Sequence, residues 1–145
     1  MRIQLPTVIA LLAGVVSASP VPKDPNSDVN DCDDIRYENG SSDGSPTVDD
    51  CRQIVKNIQD GGSWDYSGVG HHKTLVTYGT CAMGIDSGAR VGNLDITDII
   101  NGSIDRFEWK GLVGAKGKMN CQKPVAQQET DDVNWSIYFN PDCCK

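Results

Sequence analysis

The chain has 145 residues with 20 acidic and 13 basic side chains, a formal charge of −7, and its length fits one domain. A nucleic-acid binder needs clustered Lys and Arg to displace counterions, and an anionic membrane surface would repel so acidic a protein, so neither is an expected partner. The acidity serves solubility.

At the start of the chain, Arg2 supplies a short positive segment. Residues 5–18 are mostly apolar, with Pro6, Thr7 and Ser17 the clear interruptions. Val16-Ser17-Ala18 then places compact side chains before Ser19, the pattern of a cleaved secretory signal over residues 1–18. The apolar run falls short of the roughly 20 residues that span a bilayer. The expected location is therefore extracellular, without stable membrane insertion. Residues 19–31 are rich in Pro, Asp and Asn and read as a flexible leader or pro-segment, so the domain is expected over 32–145.

An early short strand is expected near residues 35–37, followed by a loop of Gly, Ser, Asp and Asn over 39–46. Ser45 with Pro46 offers one helix start, and Thr47 with Asp50 an alternative capping box. Val48, Cys51, Ile54, Val55 and Ile58 recur at helical spacing, and Gly61-Gly62 ends the helix. Residues 73–85 read as one strand, with Leu75, Thr77, Gly79, Cys81, Met83 and Ile85 on one face and Val76, Tyr78 and Ala82 on the other. Asn93 can cap a second helix, whose stripe is Ile96, Ile99, Ile100, Ile104 and Phe107. Gly102 within it points to a bend or a close approach. Residues 112–121 and 133–139 alternate as two further strands, able to close as a hairpin across a long loop. The expected fold is α+β: a small disulfide-stabilised sandwich, mainly an antiparallel sheet covered on one face by two helices.

Cys32, Cys51, Cys81, Cys121, Cys143 and Cys144 give an even count in an exported chain, which reads as a disulfide framework. No C-x-x-C pair exists and the only histidines, His71 and His72, are adjacent, so no metal site or cofactor is expected. A bond between the neighbours Cys143 and Cys144 would close a strained ring, so each is expected to find a different, distant partner. His71 and His72 lie in a glycine-flanked turn, where adjacent side chains rarely converge on one substrate. The acid pairs Asp33-Asp34, Asp49-Asp50 and Asp131-Asp132 could serve glycosidase chemistry only if the fold set two carboxylates across a cleft. No G-x-S-x-G, P-loop or H-E-x-x-H sequence occurs, and no catalytic residue is assigned. Three sequons are present. Asn39 and Asn101 are candidate glycan acceptors, whereas Asn134, in a strand beside Trp135, is disfavoured.

Four runs carry a resemblance: DCRQIVKNIQDGGSW (50–64), LVTYGTCAMGI (75–85), VGNLDITDIINGSIDRFEWKGLVGAKGKMNC (91–121) and VNWSIYF (133–139). They resemble, in order, the fungal extracellular protein two effector family, whose domain is also called the necrosis-inducing factor domain. The VGAKG segment after R-F-x-W-x-G is its most specific part. The resemblance implies a secreted, non-enzymatic fungal effector or virulence factor of the host apoplast, some relatives of which provoke plant cell death. The family's cysteines map onto Cys32, Cys51, Cys81 and Cys121, with Cys143-Cys144 an addition. Cys51 is expected to join Cys81 or Cys121, with Cys32 and the C-terminal pair tying down the chain ends. The element order is also similar to the α/β-sandwich killer toxins of fungal viruses. That gives the alternative of an antimicrobial toxin directed at competing microbes. On either reading the expected state is a monomer, and the target is an unidentified host or microbial protein.

Overall fold

The computed structural model describes residues 28–68, 70–124 and 129–144; the expected signal segment 1–18 and leader residues 19–27 lie outside them. In chain order the elements are β1 (Cys32–Asn39), α1 (Val48–Asn57), β2 (Ser63–Tyr66), β3 (Lys73–Tyr78), β4 (Cys81–Ile85), β5 (Ala89–Gly92), α2 (Asn93–Phe107), β6 (Ala115–Gln122) and β7 (Thr130–Phe139). Five strands form an antiparallel sheet in the order β1-β6-β7-β4-β3, and β2 pairs with β5 as a separate ribbon. The fold is α+β with a mainly antiparallel sheet, as the sequence pattern predicts.

Alternation decides which face of the sheet is covered. Ala115, Met119 and Cys121 of β6 are buried while Lys116 and Lys118 are exposed, and Val133, Trp135 and Ile137 of β7 are buried between more exposed neighbours. The register sets Ile137 beside Ala115 and Met83, and Trp135 beside Gly117 and Ile85. The apolar stripes of the helices complete this core: Cys51 and Ile54 from α1, and Ile96, Ile99, Ile100 and Ile104 from α2. α1 lies over β3 and β4, and α2 over β1 and β5. Gly102 marks a close approach. A Cβ there would stand 2.4 Å from the Tyr37 hydroxyl, which donates to the Asp98 carbonyl (3.0 Å).

The expected single strand over 73–85 is instead the β3–β4 hairpin. Tyr78 pairs with Cys81, so the chain reverses at Gly79-Thr80, and Gly79 takes φ +52°, a conformation open mainly to glycine. The reversal shifts the parity, so Val76 and Tyr78 pair with Met83 and Cys81 rather than facing away from them. α1 holds the turn. Thr47 caps the helix by accepting from the Asp50 N–H (3.2 Å), but the Thr47 N–H is taken by Thr80 rather than by the Asp50 carboxylate, so the capping box does not close. The carboxylate accepts from the Thr80 N–H (2.8 Å) and hydroxyl (2.7 Å), while the Thr47 N–H donates to Thr80 Oγ1 (3.0 Å). These bonds hold the Asp50 carboxyl below its ordinary value, with the Thr80 N–H the largest cause.

Cys51 is bonded to Cys81 beside that turn, and Cys32 to Cys121 between directly paired positions of β1 and β6. Cys143 and Cys144 are bonded to each other, which corrects the expectation of distant partners. The other four sulfurs are already paired across the core, and the terminal turn, in which the Cys143 N–H donates to the Asn140 carbonyl, presents the two neighbours together. Cys51, Cys81 and Cys121 are fully buried and Cys32 nearly so, whereas the terminal pair lies at the surface. Stepwise reduction with alkylation and mass mapping is expected to label Cys143 and Cys144 first, with no thiol labelled before reduction.

The last residues of the expected leader are held rather than free. Asn93 Oδ1 accepts from the Val29 N–H (2.7 Å), and the Leu94 N–H donates to the Val29 carbonyl. The buried carboxylate of Asp95, in the first turn of α2, accepts from the N–H groups of Asp31, Cys32 and Gly92. Burial nevertheless pushes Asp95 up to about 6, the three N–H donors pulling the other way. A carboxyl whose folded value is raised stabilises the fold below its unfolded value, and that contribution is lost as pH rises through the folded one. Denaturant unfolding of the parent is therefore expected to weaken between about pH 4 and 6, by at most about 3 kcal/mol. Asp95→Asn should lack that segment of the pH profile.

Candidate functional site

β4 is buried along its whole length, so its outer side must also be covered. The covering begins with small residues, Ala82 and Gly84, which leave room above the strand. The His72 ring sits over Gly84, where a Cβ would come within 2.6 Å of Nε2 and 2.5 Å of the Lys73 carbonyl. Only glycine admits the imidazole there.

Around that ring runs a chain of four polar side chains from four places in the sequence. His72 Nδ1 lies 2.8 Å from Asp86 Oδ1 and Nε2 lies 2.6 Å from the Tyr138 hydroxyl, which also meets Thr74 Oγ1. The two rings stand edge to face, 5.1 Å apart. The Asp86 N–H donates to the Asn134 carbonyl (3.1 Å), which places the carboxylate at the end of β4. An ionised carboxylate only accepts, so in the neutral imidazole Nδ1 carries the proton and Nε2 accepts from Tyr138; the phenol oxygen then accepts from Thr74. Carboxylate, imidazole and hydroxyl in a row can activate a nucleophile. Here, however, burial raises the Tyr138 phenol, the Asp86 charge adds to that, and the Thr74 bond only partly opposes it. The phenol holds its proton more firmly than in water. The arrangement orients groups on an exposed face, with His72 still 38 % open to solvent.

Beside this cluster a shallow groove of about 320 Å³ is lined by Glu38, Asp86, Lys116, Lys118, Asn134 and Ser136. A second groove, of about 500 Å³, lies between β1 and α2 among Asp33, Asp34, Asp98, Asn101 and Asp105. The acid pairs of the sequence are spread over different tasks. Asp50 binds Thr80, Asp132 accepts from Asn120 (3.1 Å), and Asp33 and Asp34 edge the second groove. Among the described residues no three His, Cys, Asp or Glu side chains are placed to hold a metal, and no helix is long and apolar enough to cross a membrane. His71 stays outside the cluster, its carbonyl accepting from the Tyr66 hydroxyl (3.1 Å). All three sequon asparagines are exposed. Asn134 projects from the open sheet face while Trp135 turns into the core, so the bulk of Trp135 does not shield it.

The molecule is thus a small α+β module, closed by disulfides, with one face of its sheet packed and the other left polar. The family profile Hce2, described as "Pathogen effector; putative necrosis-inducing factor", matches residues 31–121, and the chain belongs to that family. It is also 35% identical over 130 residues, 84% of its length, to "Probable chitinase LysM18" of Penicillium expansum. A second similar protein, "Secreted chitinase LysM12" of the same organism, is 34% identical over 116 residues, 70% of the chain. The matched region makes up only 9% and 7% of those two proteins.

Gly84→Ala is expected to lower stability by about 1–3 kcal/mol through overpacking, measured by urea unfolding. It should also release His72, seen as loss of the His72–Tyr138 ring contact by NMR. Tyr138→Phe, which keeps the ring and removes the hydroxyl, should retain that contact.

Proposed function

We propose that the chain is a secreted effector that acts outside the fungal cell on a plant host, by surface recognition and without chemistry of its own, and that it can provoke cell death. Membership of the effector family carries this reading, since the profile covers nearly the whole core from β1 to β6. Supporting it, the four core cysteines close two long-range bonds suited to an oxidising exterior, and residues 1–18 have the form of a cleaved signal. Residues 32–145 form the acting domain, a monomer on this reading. Its target is an unidentified host protein, and Asn39 and Asn101 are its proposed glycan acceptors.

One observation favours a second reading. The same domain occurs as a small part of two long fungal proteins whose names call them chitinases, which suits a killer-toxin-like role against competing microbes. Purified oxidised protein is to be infiltrated into leaves and applied to fungal cultures, with a reduced and alkylated sample as control. Cell death in leaves with the oxidised form alone is the expected result. Inhibited fungal growth with no leaf response would replace the host-directed reading with the antimicrobial one.

A further inference from the structure

The outer sheet face carries a charge arrangement that works against the fold's own stability. Arg36 of β1 pairs directly with Lys118 of β6, both exposed, and like charges opposite each other on one face are destabilising. Lys116 stands two residues along β6 on the same face, about 7 Å away, opposite Glu38 of β1. Asp34 and Asp132 lie beside Arg36 and Lys118, so the like-charge contact is the Arg36–Lys118 pair within a face of mixed charge. None of the three makes a salt bridge or side-chain hydrogen bond among the described residues, although the chain is strongly acidic. Of the other cations, Arg90 engages Asp31 and Asp65, Lys123 engages Glu129, Arg106 lies over the Tyr37 ring and Lys110 over Trp109. Arg52, Lys56 and Lys73 likewise make no ion pair among the described residues; what sets Arg36 and Lys118 apart is that they face each other.

The neighbours narrow the chemistry of a ligand. Asn134 lies opposite Lys118 and Ser136 opposite Lys116 on β7, and both line the shallow groove with Glu38 and Asp86. Amide and hydroxyl groups read sugar hydroxyls. The carboxylates repel a dense polyanion such as a nucleic acid, which needs an uninterrupted basic track. An open groove across neighbouring strands suits an extended chain rather than an enclosed small molecule. We propose that the outer sheet face, through Arg36, Lys116, Lys118, Asn134 and Ser136, binds an acidic polysaccharide whose carboxylates are spaced along a hydroxyl-rich chain. The proposal rests on the extracellular reading above, and it is tested without any tissue response, so its failure and that of the effector reading are separable.

The oxidised full chain, produced without N-glycans so that Asn134 is bare, is passed over immobilised polygalacturonate, a neutral polysaccharide and single-stranded DNA. Retention on the uronate polymer alone, weakening as salt rises, is expected. Lys118→Glu should weaken that binding roughly tenfold or more. Its melting temperature should stay the same or rise, because an opposite-charge pair with Arg36 replaces a like-charge one. A loss of affinity without a loss of stability separates a ligand contact from a structural role. Absence of retention on polygalacturonate at low salt would overturn the proposal. So would equal retention on the neutral polymer or on DNA, or undiminished binding by Lys118→Glu.

Discussion

The clamp between α1 and the β3–β4 turn is the constraint on which the rest of the architecture depends. Three contacts act within a few residues: the Cys51–Cys81 bond, the Asp50 carboxylate on Thr80, and the Thr47 N–H on the Thr80 hydroxyl. A Cβ on Gly79 would lie 2.5 Å from Asp50 Oδ2, so the glycine that permits the turn also admits the carboxylate that holds it. Once α1 is fixed there, its apolar stripe covers the inner side of β4, and β4 carries β7 through five paired positions. The outer side of β4 is then free to receive His72. Core and surface cluster are thus two consequences of one anchored strand.

The sequence discloses the long elements and hides the short ones. Both helices are legible because apolar residues recur at helical spacing, Val48, Cys51, Ile54 and Val55 in α1 and Ile96, Ile99, Ile100 and Ile104 in α2. β6 is legible because Lys116 and Lys118 alternate with buried residues, and β7 because Asn134 and Ser136 alternate with Val133, Trp135 and Ile137. β2 and β5, four residues each, leave too little pattern to stand out from their glycine-rich surroundings. The β3–β4 reversal is masked because a two-residue turn interrupts the apolar run without adding polarity, and Gly79 reads equally well as a strand residue. Asn93 offers a plausible cap, yet Gly92 occupies the cap position and Asp95 supplies the acceptor. His72, Thr74, Asp86 and Tyr138 are scattered over 67 positions and share no motif. Gly84 inside a strand is the one local hint of a close approach above it.

The two faces of the sheet divide the work. The inner face is almost wholly apolar and joins helices to strands, so substitutions there act on stability. The outer face has little to hold it together beyond the His72 cluster and the Asn120–Asp132 pair. Its unengaged cations lie within a surface that is otherwise acidic, and a partner of the right charge pattern would relieve the repulsion between Arg36 and Lys118. Affinity gained that way needs no rearrangement of the core.

The Cys32–Cys121 bond has a mechanical consequence. The chain enters the sheet at Cys32, beside Cys121, and leaves it after Phe139, beside Cys81 at the far end of β7. Tension applied between the two ends would pass from Cys32 straight through the sulfur bridge to Cys121, bypassing a sequence separation of 89. Within the sheet, the length that can then pay out under load lies between 122 and 139, and it includes β7, clasped between β6 and β4 and forced to slide past both at once. Inserted in a much longer wall-bound or secreted chain, such a domain would behave as a short, stiff link rather than an extensible one.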